Sequence, residues 1–242
     1  MNRVINCSGG LSSATMTILE YNPETDYVLF CDTGREHPKT YKFINDLEAY
    51  ENIPIVRLGD KDSFSNYLSK RDFEEIPNMM KRSCTIELKI KIARRWCRKN
   101  IGMTYVNMLG FRADEKKRVI KNKKRWKKVT QSFPLYDKGY NKNMIIEYWK
   151  NKPYTLEIPN ILGNCTLCFM KGKNAIINIL RHDPSLAAPW IEDERRSKLK
   201  YGHTYLNGIT ISQCLALSQQ PDLFTTKDIN EALPAYDCTC SA

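Results

Sequence analysis

Two periodicities alternate along the first half of the chain. Residues 3–7, 27–31 and 53–58 are short runs built on Val4-Ile5, Val28-Leu29-Phe30 and Ile53 to Leu58, the composition of strands buried on both faces. Between them, residues 11–21 read as a helix, and residues 37–50 as a second helix with Tyr41, Ile44, Leu47 and Glu48 in register. Residues 85–99 place Ile86, Ile90, Ala93 and Trp96 or Cys97 on one face with basic residues opposite, which predicts an amphipathic helix. Residues 104–109 then close the sheet as a fourth strand. Strands alternating with helices predict an α/β fold, a Rossmann-like doubly wound parallel sheet. From Met144 the pattern changes to a helix, a segment punctuated by Pro153 and Pro159, and helices near 175–180 and 189–198. The expected division is an α/β domain over 1–143 and a smaller helical, cysteine-bearing region over 144–242.

A chain of 242 residues buries a core without covalent staples. Its nine cysteines therefore call for another use, and residues 1–20 lack the charged, apolar, small-residue order of a secretion signal. A reducing cytoplasm is the expected setting. No apolar run reaches membrane-spanning length, so no membrane partner is expected. The net charge is +11, and the run from Lys116 to Lys128 holds nine Lys or Arg and no acid. With Trp126 inside it, that run suits a phosphate backbone and a stacked base. A solvated loop, or a lid that attracts an anionic nucleotide, is the competing reading.

In a doubly wound sheet, ligands sit beyond the carboxyl ends of the strands, beside the switch in strand order. Three predicted strand-end loops carry polar residues: Cys7-Ser8-Gly9-Gly10-Leu11-Ser12-Ser13, Cys31-Asp32-Thr33-Gly34-Arg35-Glu36-His37-Pro38 and Leu109-Gly110-Phe111-Arg112-Ala113-Asp114-Glu115. Two glycines let backbone approach a phosphate, serines add hydroxyl donors, and the amides that open a helix lack intrahelical partners. The Arg112 guanidinium offers a bidentate fork to an anion.

The same motifs, with Cys84-Thr85, Glu87-Leu88-Lys89-Ile90 and Leu162-Gly163-Asn164-Cys165 to Cys168-Phe169, resemble the phosphoadenosine phosphosulfate (PAPS) reductase-like branch of the adenine-nucleotide α-hydrolase, or PP-loop, superfamily. The likeness is to its compact members from phage and mobile-element genomes. It implies that Ser8, Gly9, Gly10, Ser12 and Ser13 cradle phosphate or sulfate, that Asp32 and Thr33 lie near the adenosine, and that Gly110 and Arg112 close the site. Arg118, shortly after Ala-Asp-Glu, matches the family and is expected to reach the substrate. Many ATP-using relatives carry Lys then Asp after the two glycines, where Leu11 and Ser12 stand here. That departure tilts the expectation towards a sulfonucleotide and away from magnesium-dependent cleavage of ATP.

Cys165 and Cys168 have the spacing that brings two thiolates to one metal; Cys84 and one of Cys238 and Cys240 complete a set of four. Thiolate count alone leaves iron and zinc open. The resemblance favours a [4Fe-4S] cluster over zinc, although the adjacent Cys-Cys pair of cluster-bearing reductases and the Glu-Cys-Gly tail of the others are both absent. Cys240 is the expected fourth ligand and Cys238 the expected nucleophile towards sulfur, resolved by a second thiol such as thioredoxin. Cys7, Cys31, Cys97 and Cys214 read as small buried hydrophobes. His37 reads as a helix-start residue or a ligand, and His182 and His203 as structural or surface residues.

Three functions follow, in order of expectation. The first is an iron-sulfur PAPS reductase that releases sulfite and adenosine 3',5'-bisphosphate. The second is an ATP-dependent sulfurtransferase that thiolates tRNA or DNA held by residues 116–128. The third is a non-catalytic nucleotide- or nucleic-acid-binding module with structural zinc.

Overall fold

The computed structural model describes residues 1–123, 128–159, 162–163 and 165–220. Its centre is a parallel sheet in the order β3-β2-β1-β4-β5, formed by β1 (Arg3–Asn6), β2 (Asp26–Cys31), β3 (Ile55–Leu58), β4 (Val106–Met108) and β5 (Thr130–Ser132). The strand order reverses across β1, whose neighbours are β2 and β4. Opposite faces of these strands enter different cores, as their period of two requires. Ile5, Val28, Phe30, Ile55 and Met108 pack on one side, and Val4, Leu29 and Leu58 on the other.

The first face is covered by α1 (Leu11–Glu20), α2 (Pro38–Glu51) and α8 (Lys142–Lys150). These supply Ala14 and Met16, Phe43, Ile44 and Leu47, and Ile145 and Trp149 respectively. Trp149 also donates its indole N–H to Thr15 Oγ1 at 2.8 Å. Helix α8 thus joins the sheet's own core through α1.

The opposite face is covered by one long interrupted helix. It comprises α4 (Ser83–Thr85), a π turn over Ile86–Ile90, and α5 (Lys91–Asn100), which brings Ala93 and Cys97 onto the sheet. A third core gathers α3 (Ser63–Ser69), α9 (Lys173–His182), α10 (Ala188–Lys200) and α11 (Ile211–Ser218) around fully buried Trp190 and Tyr205. The remaining helices are α6 (Lys116–Lys123) and α7 (Pro134–Asp137). Among the described residues no helix is long and apolar enough to cross a membrane.

Two expectations are corrected. The fourth strand does not close the sheet, because β5 pairs along its outer edge with Asn107 opposite Gln131. Ile86 does not lie on the buried face: it is 43% exposed, whereas Lys89 is buried. The π turn has more residues per turn than an α-helix, so it rotates the face that precedes Ile90 away from the 3.6-residue register.

Candidate functional site

The loop after β1 is held open by its own hydroxyls. Ser8 N donates to Ser13 Oγ at 3.0 Å, and Ser13 Oγ donates to Gly10 O at 2.9 Å. Gly10 occupies the N-cap of α1 without a side-chain cap, so the helix opens with amides available to an anion. Gly9 has φ +81°, and a Cβ there would lie 2.5 Å from Thr40 Cγ2. This loop accepts only glycine without movement of α2.

The loop after β4 lies directly on that turn. A Cβ on Gly110 would stand 2.9 Å from Ser13 Cα. Arg112 is buried, with Nε 3.0 Å and Nη2 2.8 Å from Asp114 carboxylate oxygens and Nη1 3.4 Å from Ser12 Oγ. Hydrogen bonding from Arg112 holds the Asp114 carboxyl below its ordinary range. Arg118 pairs with Glu115 and sits 4.2 Å over the Phe111 ring. Sequence-predicted Ser12, Ser13, Gly110 and Arg112 are therefore brought together, with Arg118 packed behind them.

The loop after β2 is organised by a buried carboxylate. Asp32 Oδ1 accepts from Gly34 N and from the Tyr41 hydroxyl, both at 2.8 Å. Thr33 is buried, and its amide and hydroxyl donate to Glu36 at 3.1 and 2.8 Å. Burial pushes the Glu36 carboxyl up, while Lys89 and the Thr33 hydrogen bonds pull it down; Lys89 Nζ lies 4.0 Å away. His37 is the N-cap of α2, its Nδ1 accepting from Lys39 N at 3.1 Å.

The Cys-x-x-Cys segment docks onto this same loop. Cys165 forms an isolated antiparallel bridge with Glu36, and its Sγ lies 3.5 Å from Thr33 Oγ1 and 3.9 Å from Glu36 Oε1. Thr166 N donates to Arg35 O at 2.8 Å. Lys171 Nζ donates to the carbonyls of Cys165 and Thr166, each at 2.8 Å, which fixes the turn that carries both thiols. Cys84 packs, as Cys165 does, against the third core.

Among the described residues, no group of three or more His, Cys, Asp or Glu is arranged to hold a metal ion. Cys238 and Cys240 lie outside the described residues. The described donors alone therefore fall short of a four-thiolate site. The remaining cysteines behave as packing groups: Cys7, Cys97 and Cys214 are buried, and burial pushes the thiols of Cys31 and Cys214 up to about 11.

Sequence reasoning missed Glu36, Tyr41, Lys89 and Lys171 as organisers of the site. Glu36 and Lys89 both stood within recognised motifs. What identifies them is a polar residue at a buried position, and periodicity misassigned that face of the helix.

Residues 2–155 match the family described as the phosphoadenosine phosphosulfate reductase domain. The chain is also 28% identical, over 232 residues, to the "Uncharacterized nin region protein ORF290" of Escherichia phage lambda, covering 84% of this chain and 78% of that protein.

Proposed function

The chain belongs to the phosphoadenosine phosphosulfate reductase domain family, and from that premise we propose that it reduces 3'-phosphoadenylyl sulfate to sulfite and adenosine 3',5'-bisphosphate. The observation that carries this reading is the meeting of the first and third strand-end loops at the start of α1. Gly110 packs on Ser13, and Arg112 Nη1 lies 3.4 Å from Ser12 Oγ. Amides of α1, the Ser12 hydroxyl and the Arg112 guanidinium form a donor-rich cradle for phosphate or sulfate oxygens, and the Ser8 and Ser13 hydroxyls, bonded to each other and to Gly10 O, shape its turn. Asp32 and Thr33, in the loop after β2, take the adenosine in this reading.

In the proposed reaction the Cys238 thiolate attacks the sulfur of the bound sulfonucleotide. The S–S bond forms as the S–O bond to the nucleotide phosphate breaks, and adenosine 3',5'-bisphosphate leaves. A dithiol reductant of the thioredoxin type then attacks the Cys238 sulfur, expels sulfite and is itself oxidised to a disulfide, which completes a two-electron reduction. Arg112, Arg118 and the α1 amides stabilise negative charge on the transferring and departing groups. The iron-sulfur centre expected at Cys84, Cys165, Cys168 and Cys240 has no three of its described ligands gathered on one point, and the reaction proposed does not depend on it.

Anaerobic purification with iron, sulfide and zinc analysis, followed by thermal-shift titration with PAPS, adenylyl sulfate and ATP, tests the proposal. PAPS stabilises the protein, and reduced thioredoxin drives sulfite release that Arg112→Ala lowers at least tenfold. Stabilisation by ATP alone, without sulfite release, overturns it. A second reading, ATP-dependent thiolation of tRNA or DNA, is favoured by the acid-free run ending at Lys128.

A further inference from the structure

The face of the sheet beneath α5 carries an unusual row of side chains. Val4, Ala93, Cys97 and Tyr105 make that interface apolar, yet three carboxamides cross it on adjacent strands. Asn6 Nδ2 donates to Asn107 Oδ1 at 2.8 Å, and Asn107 Nδ2 donates to Gln131 Oε1 at 2.9 Å. The row ends at Gln131 Nε2, which is buried without a hydrogen-bond partner. A buried donor of this kind is unfavourable unless something accepts from it.

The row lines, together with Ile90, Arg94 and Val129, a recess with room for about 20 Å³, the space of one water-sized atom. That space takes a single protruding acceptor, such as a carbonyl oxygen at a base edge, and not a ring. Its rim is basic. Exposed Arg94, Arg95, Arg98 and Lys99 recur at i and i+4 along α5, which puts them on neighbouring positions of one helix surface. Exposed Lys128 adjoins Val129 on the other side. Among the described residues no carboxylate pairs with Arg95, Arg98, Lys99 or Lys128, and the sequence holds no acid between Glu87 and Asp114.

From this juxtaposition we propose that the α5 face is a docking surface for single-stranded nucleic acid, with its phosphates on the α5 cations and one base edge against the Gln131 amide. Unpaired bases offer the carbonyls of their pairing edge to a side-chain amide, whereas a duplex uses that edge in its own base pairs. The inference is independent of which adenine nucleotide occupies the strand-end cradle. Asn6 is the last residue of β1 and immediately precedes the cradle loop, so a strand bound here passes next to that site.

Fluorescence anisotropy of the full chain with labelled single-stranded RNA and DNA homopolymers, and with a matched duplex, between 50 and 300 mM salt provides the test. The expected result is tighter binding of single strands than duplex, with the RNA and DNA arms showing which sugar is preferred. Replacing Arg95, Arg98 and Lys99 together by Glu weakens binding at least tenfold; the milder Arg95→Gln, Arg98→Gln pair weakens it less. At about 0.7 units of salt slope per single-strand phosphate contact, the Glu variant's slope falls by about two. Gln131→Leu keeps the salt slope and flattens the preference among homopolymers. Equal affinity of the parent and both α5 variants, or an unchanged base preference for Gln131→Leu, overturns the proposal. Thermal-shift titration of the α5 variants with PAPS and ATP separates this failure from loss of the cradle, because the α5 substitutions leave nucleotide stabilisation intact.

Discussion

At the scale of single residues, two positions make direct predictions. Gly9 combines φ +81° with a Cβ position 2.5 Å from Thr40 Cγ2, so Gly9→Ala suffers both a backbone penalty and a clash. The backbone part costs about 1–2 kcal/mol, and urea unfolding is expected to show at least that loss. Adding Thr40→Ser removes the clashing methyl but not the backbone penalty, so it restores only part of the stability; full restoration contradicts the assigned conformation. Asp26 accepts from Arg3 Nε and Nη2 at 2.7 and 2.6 Å, from Thr25 Oγ1 at 2.8 Å and from Asn22 N at 2.9 Å. Burial alone would raise its carboxyl, but the hydrogen bonds from Arg3, Thr25 and Asn22 outweigh it and hold the group below its ordinary value. A folded value below the unfolded one, about 3.9, means that this stabilisation is complete above that pH and is lost as pH falls through the folded value. Asp26→Asn should therefore cost about 1.5–3 kcal/mol at pH 7. The gap in urea midpoint between parent and variant should stay constant from pH 8 to 5 and narrow below about pH 4; a gap that widens on acidification contradicts the assignment.

At the scale of elements, the interrupted helix from Ser83 to Asn100 shows what could be read in advance. Strands β1, β2 and β3 were legible because both their faces are buried, and α1 and α2 because their apolar spacing is regular. Strand β5 was not: Thr130, Gln131 and Ser132 have no apolar member, and an edge strand of three residues needs only its backbone pairing. Helix α11 carries a readable signal of its own, the reciprocal Thr210 and Gln213 capping box. The π turn is invisible to any 3.6-residue pattern, and with it the inward turn of Lys89 towards Glu36. Glu36→Ala removes the carboxylate that receives both Thr33 donors and lies 4.0 Å from the buried Lys89 ammonium. Breaking a buried pair from one side costs about 3–5 kcal/mol. Urea unfolding should show a loss in that range, with a smaller one for Glu36→Gln, which keeps an acceptor for Thr33. Equal, sub-kcal/mol effects from both substitutions would show that the carboxylate organises nothing.

At the scale of the whole molecule, the question is how the helical core is tied to the sheet. The cradle motifs were legible because glycines and serines at strand ends have a backbone reason to be there; the tie was not, since it joins residues far apart in sequence through one buried cation. Arg35 Nη2 lies 2.6 Å from Asp193 Oδ2, and the Tyr205 hydroxyl donates to the same oxygen at 3.1 Å. The guanidinium sits 5.3 Å from the Phe64 ring centroid and 5.6 Å from that of Trp190, while the carbonyl of Arg35 accepts from Thr166 N at 2.8 Å. One residue thus fastens α10, the loop after β2 and the Cys165 segment at a single point. Asp193→Ala leaves the guanidinium buried between aromatic rings without its carboxylate, which costs about 3–5 kcal/mol; Asp193→Asn retains an acceptor and loses less. Because the tie is shared, its release is transmitted to both sides. Amide hydrogen exchange in Asp193→Ala should accelerate at Thr33, whose amide is held by Glu36, and at Thr166, whose amide is held by Arg35. Acceleration confined to α10, with Thr33 and Thr166 as protected as in the parent, would show that the two cores are joined elsewhere and that Arg35 is only a local ion pair.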